Sequence, residues 1–194
     1  MWGRSVGQTE RSYIPRSDIG GAQAAASAEE TESRWYVIEA RHRFEKRVVQ
    51  QLSQKSVETF LPAREEVHHW SDREKLVEIP LFAGYVFVRT GRSRTARLGI
   101  LQTTGVIGFV GSHGEGTPVP SEQVEHLRRL LQQRVACSLH AFLKVGRRVR
   151  VRGGCLDGVE GILAESGEKS LVISIDCIQR SLLVRLEGYE LELV

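Results

Sequence analysis

Three cysteines in 194 residues, Cys137, Cys155 and Cys177, are too few for a disulfide framework, and no two of them form the C-x-x-C pair of a structural zinc site. Such isolated thiols are expected to act as small apolar side chains in a reducing cytoplasm. Long apolar runs are missing too. No stretch approaches the ~20 consecutive apolar residues of a membrane helix, and the first thirty residues carry no apolar leader core. A membrane or secreted protein is therefore not expected. Chemical motifs are equally scarce. Gly153-Gly154 and Gly158 lack the K-[ST] ending of a phosphate loop. His68 and His69 are adjacent, so on a strand they point to opposite faces and cannot converge on a metal. Cys155 follows two glycines in a turn that would expose a nucleophile, but no base or orienting group stands at a recognisable spacing. No catalytic residue, metal site or cofactor is expected.

What is present is an ordinary globular composition, 41% hydrophobic and 26% charged, with room for one or two modest domains. The net charge of +3 is unevenly spread: −2 over residues 1–33, +5 over 34–134 and zero over 135–194. Arg89, Arg92, Arg94 and Arg97 form one run without acids, and Lys144, Arg147, Arg148, Arg150 and Arg152 another. Such runs suit either a nucleic-acid or acidic-protein surface or a solvated face with no partner.

Residues 1–33, rich in Gly, Ser, Ala, Gln and Glu, read as a disordered tail. A strand is expected over Arg34–Ile38, then a helix whose Phe44, Val48 and Leu52 share one face. Val57 to Val67 reads as a strand broken by Pro62, Trp70-Ser71-Asp72 as a turn, and Leu76 to Ile79 as a strand closed by Pro80. In Gly84 to Arg89, period-two alternation sets Val86 and Val88 against Tyr85 and Phe87. A short helix over 95–101, a strand over 105–110 and a helix N-capped by Ser121, with Val124, Leu127 and Leu131 on one face, complete an α+β unit over 34–134. Its helices flank an antiparallel sheet. Residues 135–142 read as a linker. Short strands punctuated by glycines then predict a small β-barrel over 143–194.

Two segments carry a resemblance. Pro80-Leu81-Phe82-Ala83-Gly84-Tyr85-Val86-Phe87-Val88 resembles the P-L-F-P-G-Y-V-F-V motif of the NusG family's N-terminal (NGN) domain, with Ala83 in place of the second proline. Trp35-Tyr36-Val37 and Thr104 to Gly111 fall in the family's order. Val145 to Val151, continued through Gly158-Val159-Glu160-Gly161-Ile162, resembles a KOW motif, which implies an SH3-like barrel. Where general members usually carry F-G-R-x-T-P-V-E-L, this chain has Ile178-Gln179-Arg180-Ser181-Leu182-Leu183-Val184, which resembles the specialised RfaH- and UpxY-like antiterminators.

The resemblance implies a monomeric, cytoplasmic transcription elongation and antitermination factor rather than an enzyme. The polymerase-binding residues it implies are Tyr36, Phe82, Tyr85, Phe87, Arg94 and Arg97, facing the β′ clamp helices and the β gate loop of RNA polymerase. Periodicity alone leaves Tyr85 and Phe87 open to either reading, a helix-covered core or a partly exposed aromatic patch. Contact with the non-template DNA strand falls by analogy to the first helix, through Arg41, Arg43, Lys46 and Arg47. In the barrel, Arg148, Arg150, Arg152, Leu156 and Ile178 are the implied partner-binding residues, toward the ribosomal protein NusE, Rho or RNA. Leu156 stands where general members have a phenylalanine. The three arginines, alternating with Val149 and Val151, also suit a solvated sheet edge charged against pairing. The alternative function is an RNA-binding or ribosome-associated KOW protein.

Overall fold

The computed structural model describes residues 32–69, 74–111, 114–143, 146–164 and 170–194. The expected tail before residue 32 and the expected turn at Trp70-Ser71-Asp72 lie outside these residues.

Strand β1 (Arg34–Ala40) is the spine of a four-stranded antiparallel sheet. It pairs on one side with β5 (Tyr85–Thr90) and on the other with β6 (Val106–Phe109), while β2 (Glu58–Phe60) adds to the far edge of β5. Alternation along β5 sends its residues to two separate cores. Val86 and Val88 join Tyr36, Ile38, Val48 and Leu52 beneath helix α1 (Glu45–Gln54), and Ile100 of α2 (Arg94–Leu101) closes that layer. Phe87 faces the opposite layer with Trp35, Val37 and α3 (Ser121–Gln132). β3 (Ala63–His69) and β4 (Glu74–Pro80) form a separate two-stranded hairpin.

The helices differ from expectation at their ends. Phe44 is the cap of α1, so Arg41, His42 and Arg43 lie in the preceding turn, with Arg43 at φ +66°. Ser121 is the first helical residue of α3 and makes no capping bond, because Pro120 already occupies the cap position. The buried residues of α3 are Val124, Leu127 and Leu130, and Leu131, in the helix's last turn, is half-buried.

The C-terminal part is a six-stranded sheet in the order β12-β8-β9-β10-β11-β7. Its strands are β7 (Cys137–His140), β8 (Arg148–Arg152), β9 (Glu160–Leu163), β10 (Ser170–Ile175), β11 (Arg180–Arg185) and β12 (Glu190–Leu193). Two short 3-10 turns, Gly154–Leu156 and Asp176–Ile178, join its strands. The stretch 135–142, where a linker is expected, contains β7, which lies along β11. The core of this sheet is continuous with the α3 side of the first domain. Buried Leu156, Leu171 and Leu182 belong to the same cluster as Phe87, Leu127 and Leu130.

Candidate polymerase and nucleic acid interface

The aromatic residues of the family motif take unequal positions. Phe87 is wholly buried, and its ring centroid lies 5.9 Å from that of Phe60 and 6.4 Å from that of Phe82, itself 2% exposed. Tyr85 alone is half-buried and keeps an open edge. The pair is thus no uniform patch: Phe87 supports the sheet from within, and Tyr85 offers surface. Gly84, between them and the preceding loop, takes φ +83°.

Tyr36 is buried on the other face, under a cation. Its ring packs edge-on against Phe109, centroids 6.0 Å apart. The Arg97 guanidinium lies 4.8 Å from the Tyr36 centroid and 4.6 Å from that of Phe109, and also donates to the Glu115 carbonyl. Two aromatic faces and a carbonyl therefore hold one arginine in a fixed pose. Arg97 forms one wall of a cleft of about 510 Å³ that Arg92 and Arg94 share with Leu98, Leu101 and Phe109. Leu98 and Leu101 are 48% and 41% exposed, so the cleft is at once cationic and apolar. Such a surface suits an acidic, amphipathic protein segment or a nucleic-acid strand with its bases turned inward.

Arg41, Arg43, Lys46 and Arg47 all lie exposed around the first turn of α1. Lys46 pairs with Glu78 at 2.8 Å, and Arg47 lies 5.8 Å from the Phe44 ring. The structure gathers these residues into one basic surface, on a different element from the α2 cleft.

The three barrel arginines read differently from a bare ladder. Strand β8 lies between β12 and β9, so it is not an edge. Both neighbours place acids opposite it. Arg150 binds Glu160 at 2.5 Å, Arg148 reaches the same carboxylate at 3.5 Å, and Arg152 binds Glu192 at 2.5 Å. The Arg150 hydrogen bond holds the Glu160 carboxyl below the usual range, against the opposing influence of burial. Leu156 and Ile178 are buried, 0% and 6% exposed, and the turn that carries Leu156 packs against α3.

One arrangement escaped the sequence reading altogether. Arg128 of α3 lies 5.0 Å from the Trp35 ring and 5.2 Å from the Phe60 ring while binding Glu58 at 3.0 Å. Arg89 reaches Glu58 at 3.3 Å. Burial is the strongest single influence on the Glu58 carboxyl and pushes it up, but the two arginines together hold it below the ordinary range. These residues come from four elements spread between Trp35 and Arg128, so no local motif announces them.

Among the described residues, no three His, Cys, Asp or Glu side chains gather as a metal site, and no helix is long and apolar enough to cross a membrane. His68 and His69 lie on β3, opposite Lys75 and Glu74 in the hairpin register. Cys155 is exposed, with its Sγ 3.1 Å from the Tyr189 hydroxyl.

Residues 33–128 match the family model described as transcription termination factor NusG. The transcription termination/antitermination protein NusG of Lactococcus lactis is 26% identical over 179 residues, covering 81% of this chain and 91% of its own. The protein of the same description from Staphylococcus aureus is 27% identical over 173 residues, covering 82% of this chain and 94% of its own. The solved structure that describes domain interaction in Thermotoga maritima NusG shares the fold, with a TM-score of 0.50 at 22% identity over 79% of this chain and 93% of that one. With the aromatic motif on β4–β5, the glycine-rich β8–β9 barrel motif and relatives matched over nearly their whole length, the chain belongs to the NusG family of transcription termination and antitermination factors, proteins that interact with RNA polymerase and are not enzymes.

Proposed function

We propose that this chain is a cytoplasmic elongation and antitermination factor that binds RNA polymerase through residues 34–134 and bridges the β′ clamp helices and the β gate loop. The observation that carries this reading is the α2 cleft, where Arg97 is fixed on Tyr36 and Phe109 beside exposed Leu98 and Leu101. A pre-positioned arginine next to apolar surface loses little freedom on binding, as an interface anchor should. Tyr85 supplies the second anchor, toward the clamp helices, with Phe87 and Phe82 as its support.

A factor that holds clamp and gate together needs no chemistry. It favours the closed state of the polymerase over the open, pause-prone one by its difference in affinity for the two. Each tenfold difference is worth about 1.4 kcal/mol, so two anchors suffice to suppress pausing or termination markedly. The basic surface at the start of α1 adds contact with the non-template strand. Recruitment of NusE, Rho or RNA falls to the barrel and, through Leu156, requires the barrel to leave α3. Leu156 and the Ile178-Gln179-Arg180 stretch favour the specialised branch of the family. The alternative of RNA or ribosome binding through the β8 arginines draws less support, because acids on β9 and β12 already engage them.

The test is binding of the full chain to core RNA polymerase. Micromolar or tighter affinity is expected, weakened at least tenfold by Arg94→Glu and by Tyr85→Ala with the circular dichroism unchanged. Wild-type protein that does not bind, or variants that bind as well as it does, would refute the proposal.

A further inference from the structure

We infer that the cationic α2 cleft takes the chain's own acidic segment, residues 17–31, as an intramolecular occupant that an acidic ligand from outside must displace. Its consequence for polymerase binding rests on the reading above; the contact itself does not.

The first observation is the chemistry of the cleft. Arg92, Arg94 and Arg97 line it against one carboxylate, that of Glu115, so positive charge is in excess. Leu98 and Leu101, 48% and 41% exposed, add apolar surface. Arg97 is held by the Tyr36 and Phe109 rings and by the Glu115 carbonyl, so its charge is fixed in place before any ligand arrives. An anionic segment with small apolar side chains matches such a surface.

The second observation is where the chain enters the fold. Arg34 of β1 lies opposite Thr90 of β5, so the segment preceding β1 meets the sheet at the end where β5 leads into Arg92 and α2. Tyr36, whose ring lies 4.8 Å from the Arg97 guanidinium, is only two residues into β1, and the two-residue period puts Arg34 on its face of the strand. Arg34 engages Glu32 at 2.6 Å, which leaves Glu30 and Glu29 as the next carboxylates back along the chain. Glu30 is six residues from Tyr36, about 20 Å at full extension, so no long loop has to close. The basic surface at the start of α1 is at the other end of β1, since Arg41 follows Ala40, roughly 23 Å of strand from Arg34. The entry point therefore selects the α2 cleft.

The third observation is the composition of the segment. Between Arg16 and Arg34 stand Asp18, Glu29, Glu30 and Glu32, and no base. Ile19 and the alanines from Ala22 to Ala28 supply apolar side chains suited to Leu98 and Leu101. Cleft and segment thus carry opposite charge and share apolar character.

The tether makes a weak contact sufficient. A short linker sets an effective concentration on the order of millimolar, so a segment of millimolar intrinsic affinity fills the cleft about half the time. The apparent affinity of a competing ligand then falls about twofold, and further as occupancy rises.

The experiment compares ¹H–¹⁵N spectra of the full chain, wild type against Asp18→Asn/Glu29→Gln/Glu30→Gln, whose changes all precede the first strand. At low salt the amides of residues 92–101 should differ between the two proteins, and those of the barrel should coincide. In about 1 M salt, which screens charges beyond about 3 Å, the difference should vanish. Hexaglutamate, followed by the same cleft amides, should bind the neutralised variant at least twofold more tightly than wild type. Identical low-salt spectra, or equal hexaglutamate affinity, overturns the inference. So does a difference that grows with protein concentration, because a second copy would then supply the segment. The polymerase reading fails by a separate result, lack of binding to core RNA polymerase, which does not touch these shifts.

Discussion

The buried carboxylate of Glu45, in the first turn of α1, accepts the backbone N–H of Gly84 at 2.7 Å. This bond fixes the loop of the aromatic motif to the opposite layer of the sheet. Gly84 sits at φ +83°, and a Cβ there would meet only the Ala40 carbonyl at an ordinary 3.6 Å. Backbone conformation, not space, is what requires glycine.

Three substitutions follow from this relationship. Gly84→Ala should cost about 1–2 kcal/mol from left-handed strain alone. Glu45→Ala should cost about 1–3 kcal/mol, because it leaves a partly buried N–H without an acceptor, and Glu45→Gln should recover most of the loss. Urea denaturation of the three variants checks the order. Equal stability of the Glu45→Ala and Glu45→Gln proteins would show that the bond contributes nothing.

Much of the first domain was legible because its signals are local. The alternation of Val86 and Val88 against Tyr85 and Phe87 needs only the two-residue period of a strand, and both cores follow from it. The β7 strand gave no such signal. Cys137-Ser138-Leu139-His140 is held by backbone bonds rather than by an apolar face, so it carries no pattern to find. The pairing of the β8 arginines was hidden for a different reason. Glu160 and Glu192 lie on neighbouring strands, and strand order cannot be read from one strand's charges. The Arg97 pose was hidden by distance, since Tyr36 lies sixty-one residues before it in the chain.

A second prediction concerns the turn between β10 and β11. Gln179 there adopts φ +49°, the left-handed region glycine enters freely. Gln179→Gly removes that strain but loosens the unfolded chain, so the net change should be a stabilisation of at most about 1 kcal/mol. Gln179→Val, β-branched in the same conformation, should destabilise by about 1–2 kcal/mol. Thermal melts of the pair check the sign. A valine variant as stable as wild type would mean the turn relaxes to another conformation.

The third prediction is a pH dependence. Glu160 is held below the ordinary carboxylate range first by its hydrogen bond to Arg150, with Arg148 adding attraction. A carboxyl depressed in the fold contributes stability that is fully present above its unfolded value, about 4.3, and is lost as pH falls through the folded one. Glu160→Gln should therefore lower Tm at pH 7, and the gap to wild type should close as pH falls below the ordinary carboxylate range. A gap of the same size at pH 7 and at pH 2.5 would show that Glu160 acts by packing rather than charge.

The last prediction ranks the thiols. Burial pushes Cys177 up to about 11 and raises Cys137 as well, whereas Cys155 stands exposed in the turn between Gly154 and Leu156. At pH 8 a thiol of that acidity is thiolate in roughly one part in a thousand, and the thiolate is the reacting species. Iodoacetamide should therefore alkylate Cys155 well before Cys177, by roughly a hundredfold or more once restricted access is included. Mass spectrometry of tryptic peptides over time separates the sites. Raising the pH from 8 to 9 should speed modification of Cys177 about tenfold while the fold persists. A Cys177 rate equal to that of Cys155 at pH 8 would mean that the Asp176–Ile178 turn opens freely, and that the barrel core is looser there than its packing implies.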